Sequence, residues 1–363
     1  MVQLYGSAAG VTVRASAWQS FVPGDRSAWR GALSRALGAG GFAGRRVVVA
    51  LPPDVLETRT IRIPASVPAD LISEAASSEA AKLFPFPLSQ AVVQCLPLGD
   101  SQGFIVPGGD IQREVAVLAA PRCRVDALVE DLDAAGVIIE SLDAGPCAIF
   151  RASRYFAEPG PASVVLLDVG ERQTQVVVGR GEAINFIKSI EVGGWHFDQA
   201  VARKLHAAPA EARLMRERVA AGKDAGGVPG AAADDGPVNQ AVADSLRGPF
   251  EQLSRTLSLY LKYHAITFRG PGPRCLYLMG TESDNEMLRA SIRGALGHTV
   301  LAVDPLSALP SAAPRRFDGA MNNRLGDGGK GAWAIAVGLG LKKLAGGRFG
   351  DLPTIKANEV IGA

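Results

Sequence analysis

Asp168-Val169-Gly170 closes an apolar run, Val164–Leu167, and is followed at short range by Thr174 and then by Gly193-Gly194. Those residue types in that order are suited to holding a phosphate. A glycine at a tight turn lets phosphate reach backbone N–H groups, and a Gly-Gly pair opening a helix does the same at the helix N-terminus. An aspartate at the strand end can order the water around a Mg²⁺ ion. The whole segment 163–205 carries the outline: a buried strand, the Asp-x-Gly turn, strand-like runs Thr174–Val178 and Ala183–Ile190, and an amphipathic helix beginning near Trp195. A lone Asp-x-Gly also closes ordinary turns. Asp168 therefore has two readings here, a metal-side ligand or a turn-forming aspartate. Gly193-Gly194 reads either as a phosphate contact or as a helix entry kept small for packing.

Other constellations offer less chemistry. His196, His206, His264 and His298 lack metal-ligand spacing, and Ser77-Ser78-Glu79 has no strand-to-helix Gly-x-Ser-x-Gly around it. Cys95, Cys123, Cys147 and Cys275 are far apart in apolar contexts and read as reduced core residues. The net charge of +2 comes from dispersed residues with no basic block interleaved with aromatics, which argues against nucleic acid as a partner. No apolar stretch is long enough to span a bilayer and the N-terminus lacks signal-peptide regions, so a soluble, cytoplasmic protein is expected.

The elements that must position the motif alternate. At 363 residues, 47 % of them hydrophobic, the chain suggests two compact lobes. The first half predicts short strands over 2–22, a helix from Asp25 to Leu37, a fully buried strand Arg46–Leu51 and a strand Thr58–Ile63. A helix Pro68–Phe84 follows, then strands Ala91–Leu96 and Glu114–Ala119 around a Gly-rich tip at 100–110. A helix Arg124–Ala135, a strand Val137–Leu142 and a helix Pro146–Phe156 complete it. After the motif come a helix Pro209–Ala221, a mobile-type loop over 222–237 and a long helix Asn239–Ala265. A strand Cys275–Met279, a helix Ser283–Leu296, a strand Thr299–Val303 and a helix Ala332–Leu344 close the chain. Both halves open with strand, Gly-containing turn and strand, a weak internal duplication. The pattern is α/β with mixed sheets.

Nearly the whole chain resembles the PilM family of type IV pilus assembly proteins, actin-like relatives of the division protein FtsA. The resemblance rests on VVVALPPDVLETRTIRIP with LISEAASSEAAKLFPFPLSQAVVQ, on REVAVLAAPRCRVDALVEDLDAAGVIIESLDAGPCAIFRA, on segment 163–205 and on AWAIAVGLGLKKL. It implies a two-lobed, actin-like (ribonuclease H-like) α/β fold with an inserted subdomain. Residues 1–53 and 141–161 would form subdomain 1A, 54–140 the inserted 1C, 162–206 and 266–345 subdomain 2A, 207–265 subdomain 2B, and 346–363 a tail. It implies a cytoplasmic scaffold that binds the tail of a PilN-like inner-membrane protein in a groove between 1A and 1C. The membrane is reached only through that partner, and self-association stays open.

The resemblance also implies an ATP and Mg²⁺ cleft, from which this sequence departs. The first phosphate loop falls on Leu4-Tyr5-Gly6-Ser7, with leucine where the metal-side aspartate belongs; Gly6 and Ser7 retain backbone and hydroxyl groups. The nucleoside motif falls on Ala212–Arg216, with Arg213 replacing the acid and Arg216 keeping a cation. The late Gly-Gly turn is Gly280-Thr281-Glu282, and Glu171 adds a charge beside the second loop. Asp168, Gly170, Thr174, Gly193 and Gly194 alone keep their types. These departures favour a scaffold with a degenerate nucleotide site and no enzymatic activity. The alternatives are an ATP-regulated family member and an equivalent scaffold of a type II secretion system. Ile61, Phe84 and Phe86 are candidates for a partner-binding lip, with the edge strands Thr58–Ile63 and Ala91–Leu96 available for strand addition; Phe84 and Phe86 read equally as core residues beside a helix stop.

Overall fold

The computed structural model describes residues 1–7, 10–19, 25–39, 41–99, 104–105, 111–157, 160–221, 236–268, 272–309, 316–317, 330–344 and 355–356. Most of the predicted Gly-rich tip at 100–110 and of the loop at 222–237 lies outside these residues.

β1 (Val2–Ser7) and β2 (Gly10–Trp18) form an antiparallel hairpin. α1 (Arg26–Ala39) begins where the Asp25 carboxylate accepts from the Ala28 N–H at 2.9 Å, a side-chain cap for an otherwise unpaired donor. β3 (Arg46–Ala50) and β4 (Glu57–Pro64) follow. The expected helix 68–84 is α2 (Ile72–Ala80) with a 3₁₀ turn at each end, tightened between Pro68 and Pro85. β5 (Ala91–Leu98), β6 (Phe104–Ile105) and β7 (Ile111–Pro121) lead to α3 (Arg122–Ala134), β8 (Ile138–Asp143) and α4 (Gly145–Ser153).

The second half contains β9 (Val164–Val169), β10 (Thr174–Arg180), β11 (Ala183–Ile190), α5 (Gly194–Leu205), α6 (Pro209–Ala221) and α7 (Gly236–Thr267). Then come β12 (Cys275–Gly280), α8 (Glu286–Leu296), β13 (Thr299–Ala302), β14 (Arg316–Phe317), α9 (Ala334–Leu344) and β15 (Ile355–Lys356).

The sheet that carries the site runs β11-β10-β9-β12-β13, the 3-2-1-4-5 order of a ribonuclease H-like layer. β9, β10 and β11 are antiparallel, and β12 and β13 extend the sheet in parallel. One face packs Val165, Leu167 and Val169 against the apolar stripe Val242, Leu246, Phe250, Leu253 and Leu257 of α7, together with α5 and α8. The other face packs Leu166, Val177 and Ile187 against α4, and there Leu96 and Leu118 of the inserted sheet join the same cluster. The lobes thus share one apolar layer.

The inserted sheet is ordered β4-β7-β5, leaving β4 and β5 as its edges. β3 pairs in parallel with β8, Arg46 lying opposite Ile138 and Ala50 opposite Asp143. The expected fully buried strand 46–51 is half-buried, because β3 lies at the edge of the order β15-β8-β3. Cys95 and Cys147 are buried and Cys275 half-buried, as core residues should be, but Cys123 is exposed at the start of α3, where the helix turns its first residues outward.

Candidate functional site

The end of the five-stranded sheet brings together Asp168, Gly170, Thr174, Gly193, Gly194, Arg216 and Gly280. The glycines there are required by chain crossings. A Cβ on Gly193 would lie 2.4 Å from the Gly170 carbonyl oxygen and 2.8 Å from that of Glu171. Gly280 adopts φ +89, and a Cβ there would lie 2.4 Å from the Val169 carbonyl oxygen and 2.7 Å from Asp168 Oδ1. Backbone meets backbone at both positions.

Those crossings use the donors a phosphate would need. The Gly170 N–H donates to the Gln173 carbonyl at 3.0 Å, closing the turn. The Gly194 and Trp195 N–H groups donate to the carbonyls of Gly170 and Glu171 at 3.0 and 2.7 Å. The Gly193 N–H donates to His196 Nδ1 at 3.2 Å, and burial followed by the Arg172 guanidinium holds His196 below the ordinary histidine range. The Thr174 hydroxyl donates to the Val192 carbonyl at 2.8 Å. The first turn of α5 is therefore saturated internally.

The charged residues around the turn pair with one another. Arg216 is 3 % exposed; its Nε donates to Asp198 Oδ1 at 2.7 Å and its Nη1 to Glu282 Oε2 at 2.6 Å. Burial opposes the Arg216 charge, and the Glu282 and Asp198 carboxylates outweigh it, raising its pKa. For Asp198 burial wins over the attraction of Arg216 and the pKa rises. Arg213 sits 3.6 Å from Glu171 and 3.0 Å from Glu217. Asp198, a carboxylate on the buried side of α5 between Phe197 and Val201, was not singled out from sequence. A charge inside an apolar helical stripe was the available signal.

Asp168 is half-buried, and desolvation pushes its carboxyl up to about 6. The opposing loop supplies no second carboxylate. Leu4 packs into the apolar cluster of Val13, Val337 and Leu341, in contact with Gly340 of α9. Gly6 and Ser7 lie at the exposed tip of the β1–β2 hairpin, where Gly6 faces Leu344 and the Ser7 hydroxyl donates to the Gly10 carbonyl at 3.2 Å. Among the described residues no group of three His, Cys, Asp or Glu is placed to hold a metal ion. The residues present do not fit ATP with Mg²⁺: the amides are bonded, the cation is paired twice, and one carboxylate stands alone.

The candidate lip is part of a core. Ile61 and Phe84 are buried, and Phe86 packs partly buried beside them in the cluster between α2 and the β4-β7-β5 sheet, with the Phe84 and Phe86 ring centres 5.7 Å apart. Ile61 and Phe84 are covered between α2 and its sheet, whereas Phe86 stays partly exposed. The contact between the first lobe and the insert is polar at its rim and apolar beneath. Arg26 and Arg30 of α1 reach Asp131 of α3 at 2.5 and 2.6 Å, over Leu51, Val55, Val125 and Leu142. A separate cavity of about 400 Å³ lies between the insert and α7, lined by Thr60, Arg62, Glu114, Lys188 and Tyr263 among others.

Sheet order, shared apolar layer and paired sheet-end glycines define an actin-like, two-lobed α/β protein with an inserted sheet. The family described as type IV pilus assembly protein PilM matches residues 25–225, more than half of the chain, and the chain belongs to that family. The solved structure of a PilM–PilN type IV pilus biogenesis complex superposes with a TM-score of 0.72 at 24 % identity, covering 94 % of each chain, and establishes the same fold. An archaeal actin homologue aligns over 92 % of this chain and 80 % of its own at 13 % identity and a TM-score of 0.42. The ethanolamine utilization protein EutJ from Carboxydothermus hydrogenoformans aligns over 52 % and 58 % at 16 % identity and 0.38. No curated protein matches the chain. Among the described residues no helix is long and apolar enough to cross a membrane.

Proposed function

We propose that the protein is a nucleotide-independent scaffold of the type IV pilus inner-membrane assembly machinery, acting in the cytoplasm and held to the membrane by the tail of a PilN-like protein. Membership of the PilM family supports the assembly role. The observation that carries the nucleotide-independent part is the double pairing of Arg216 with Asp198 and Glu282 beside the saturated first turn of α5. A protein with this site gains nothing from lobe closure around ATP, so partner binding does not depend on it. The tail would lie between the first lobe and the insert, and the insert's edge strands β4 and β5 offer main-chain groups for strand addition.

Calorimetric titration with a peptide of the PilN-like tail, with and without ATP and Mg²⁺, tests both parts. Binding of equal affinity in the two conditions is expected. Absence of binding overturns the partner assignment, and binding only in the presence of ATP overturns nucleotide independence.

A further inference from the structure

The strongest convergence of recognition groups in the molecule lies where β12 turns into α8. The Glu282 carboxylate is met there by two kinds of group that recognise oxyanions, a guanidinium and a side-chain amide. Arg216 Nη1 donates to Oε2 at 2.6 Å, and Asn285 Nδ2 to the same oxygen at 3.4 Å. Oε1 lies against the first turn of α5, 2.8 Å from where a Cβ on Gly194 would sit. Arg216 is aimed by its bond to Asp198 and lies 5.7 Å from the centre of the Phe197 ring. Arg216, Asp198, Asn285 and Glu282 are 3, 5, 4 and 7 % exposed. A guanidinium and a side-chain amide are donors that bind a carboxylate, a phosphate or a sulfate.

We propose that this is a preformed oxyanion site whose occupant is the chain's own Glu282, an internal ligand delivered by the Gly280–Asn285 turn. The proposal rests on the nucleotide-independent reading above and deepens it: the second lobe is held together by a built-in anion in place of an external one. Removing the carboxylate exposes a site for a small tetrahedral oxyanion, because Arg216 stays behind with one of its two carboxylate partners missing.

The test uses full-length protein and thermal unfolding in rising inorganic phosphate, with chloride at matched ionic strength as the control. Unaltered protein should respond equally to the two salts. Glu282→Ala should melt several degrees lower and regain at least half of that loss in tens of millimolar phosphate but not in chloride. Glu282→Gln keeps the side-chain volume and should show a smaller loss with the same selective rescue, which keeps the test valid if the alanine variant does not fold. Adding Arg216→Met to Glu282→Gln should abolish the rescue. If the variants respond alike to phosphate and chloride, or the unaltered protein itself is selectively stabilised by phosphate, the proposal is overturned. Tight ATP binding by the unaltered protein in the same assay would instead count against the scaffold reading.

Discussion

At the residue scale, the departures from a nucleotide-binding pattern come in matched pairs. Glu282 is the charge added at the Gly280-Thr281-Glu282 turn, and its carboxylate is taken up by Arg216; Arg213 stands where the resemblance expects an acid and lies beside Glu171, the extra carboxylate of the second loop. Each added charge thus meets an opposite one, and each arginine keeps a second carboxylate, Asp198 for Arg216 and Glu217 for Arg213. Asp168 is the residue left over. Its folded pKa of about 6 lies above the unfolded value of 3.8, so its protonation favours folding. That contribution is full at low pH and is lost as pH rises through about 6, leaving a desolvated carboxylate at neutral pH. Asp168→Asn should therefore stabilise the protein at pH 7.5 by on the order of 1–2 kcal/mol, after discounting for solvent contact, and the gain should vanish near pH 4. Denaturant midpoints of both proteins at the two pH values check this. An essential Mg²⁺ ligand would show the opposite sign in the presence of the metal. Gly280→Ala should cost roughly 3 kcal/mol or more, since φ +89 and the Val169 carbonyl both oppose a side chain; the same denaturant titration reads it.

At the element scale, α7 shows how burial sets a titration. His264 stacks on Phe268 at 5.2 Å and meets Phe186 edge-on at 6.2 Å, with no hydrogen-bond partner for Nε2 among the described residues. Burial, followed by the Arg180 charge, lowers its pKa to about 4 from 6.5. A depressed histidine contributes stability that is present above the unfolded pKa and lost as pH falls through the folded one. The acid limb between pH 6.5 and 4 should be flattened in His264→Phe, with up to roughly 3 kcal/mol less stability lost across that window; urea unfolding at pH 7.5 and 4.5 measures it. The elements themselves were largely legible in the sequence. The Val242-to-Leu257 stripe, the β-runs around Gly170 and the Asp25 cap are local patterns, and local patterns survive in one dimension. The exposure of β3 was not legible, because only sheet order decides whether Val47–Val49 lie at an edge. Nor was the burial of Phe84, because Pro85-Phe86-Pro87 reads alike for a lip and for a helix stop. The site glycines were legible as glycines, but not what they face: a carbonyl and a phosphate ask for the same missing Cβ.

At the scale of the whole molecule, the insert is joined to the second lobe by an apolar layer, by the Gly99 N–H donating to the Ile184 carbonyl at 2.9 Å, and by a polar clasp. The layer runs from Leu96 and Leu118 through Phe150 to Ile187 and Met279. The clasp lies beside the cavity: Arg62 Nη2 donates to the Tyr263 hydroxyl at 2.7 Å, Arg62 Nε donates to Glu114 Oε1 at 3.3 Å, and Tyr263 donates to that same Glu114 oxygen. Glu114 is 1 % exposed and, among the described residues, its Oε2 has no hydrogen-bond partner, so its burial relies on these two donors. Burial, followed by the Glu114 carboxylate, raises the Tyr263 pKa, which keeps the hydroxyl a donor throughout the neutral range. Tyr263→Phe removes one donor from a buried carboxylate and should cost about 1.5–3 kcal/mol. Glu114→Gln removes the charge that needs it, so Tyr263→Phe should cost clearly less in that background. A coupling of about 1 kcal/mol or more in the double-mutant cycle is expected. Hydrogen exchange locates the loss: Tyr263→Phe should speed exchange in β4 and β7 together with the last turns of α7, leaving β9 and β12 protected. Additive single-mutant effects, or exchange that rises uniformly across both lobes, would mean that the clasp does not hold the insert to the second lobe.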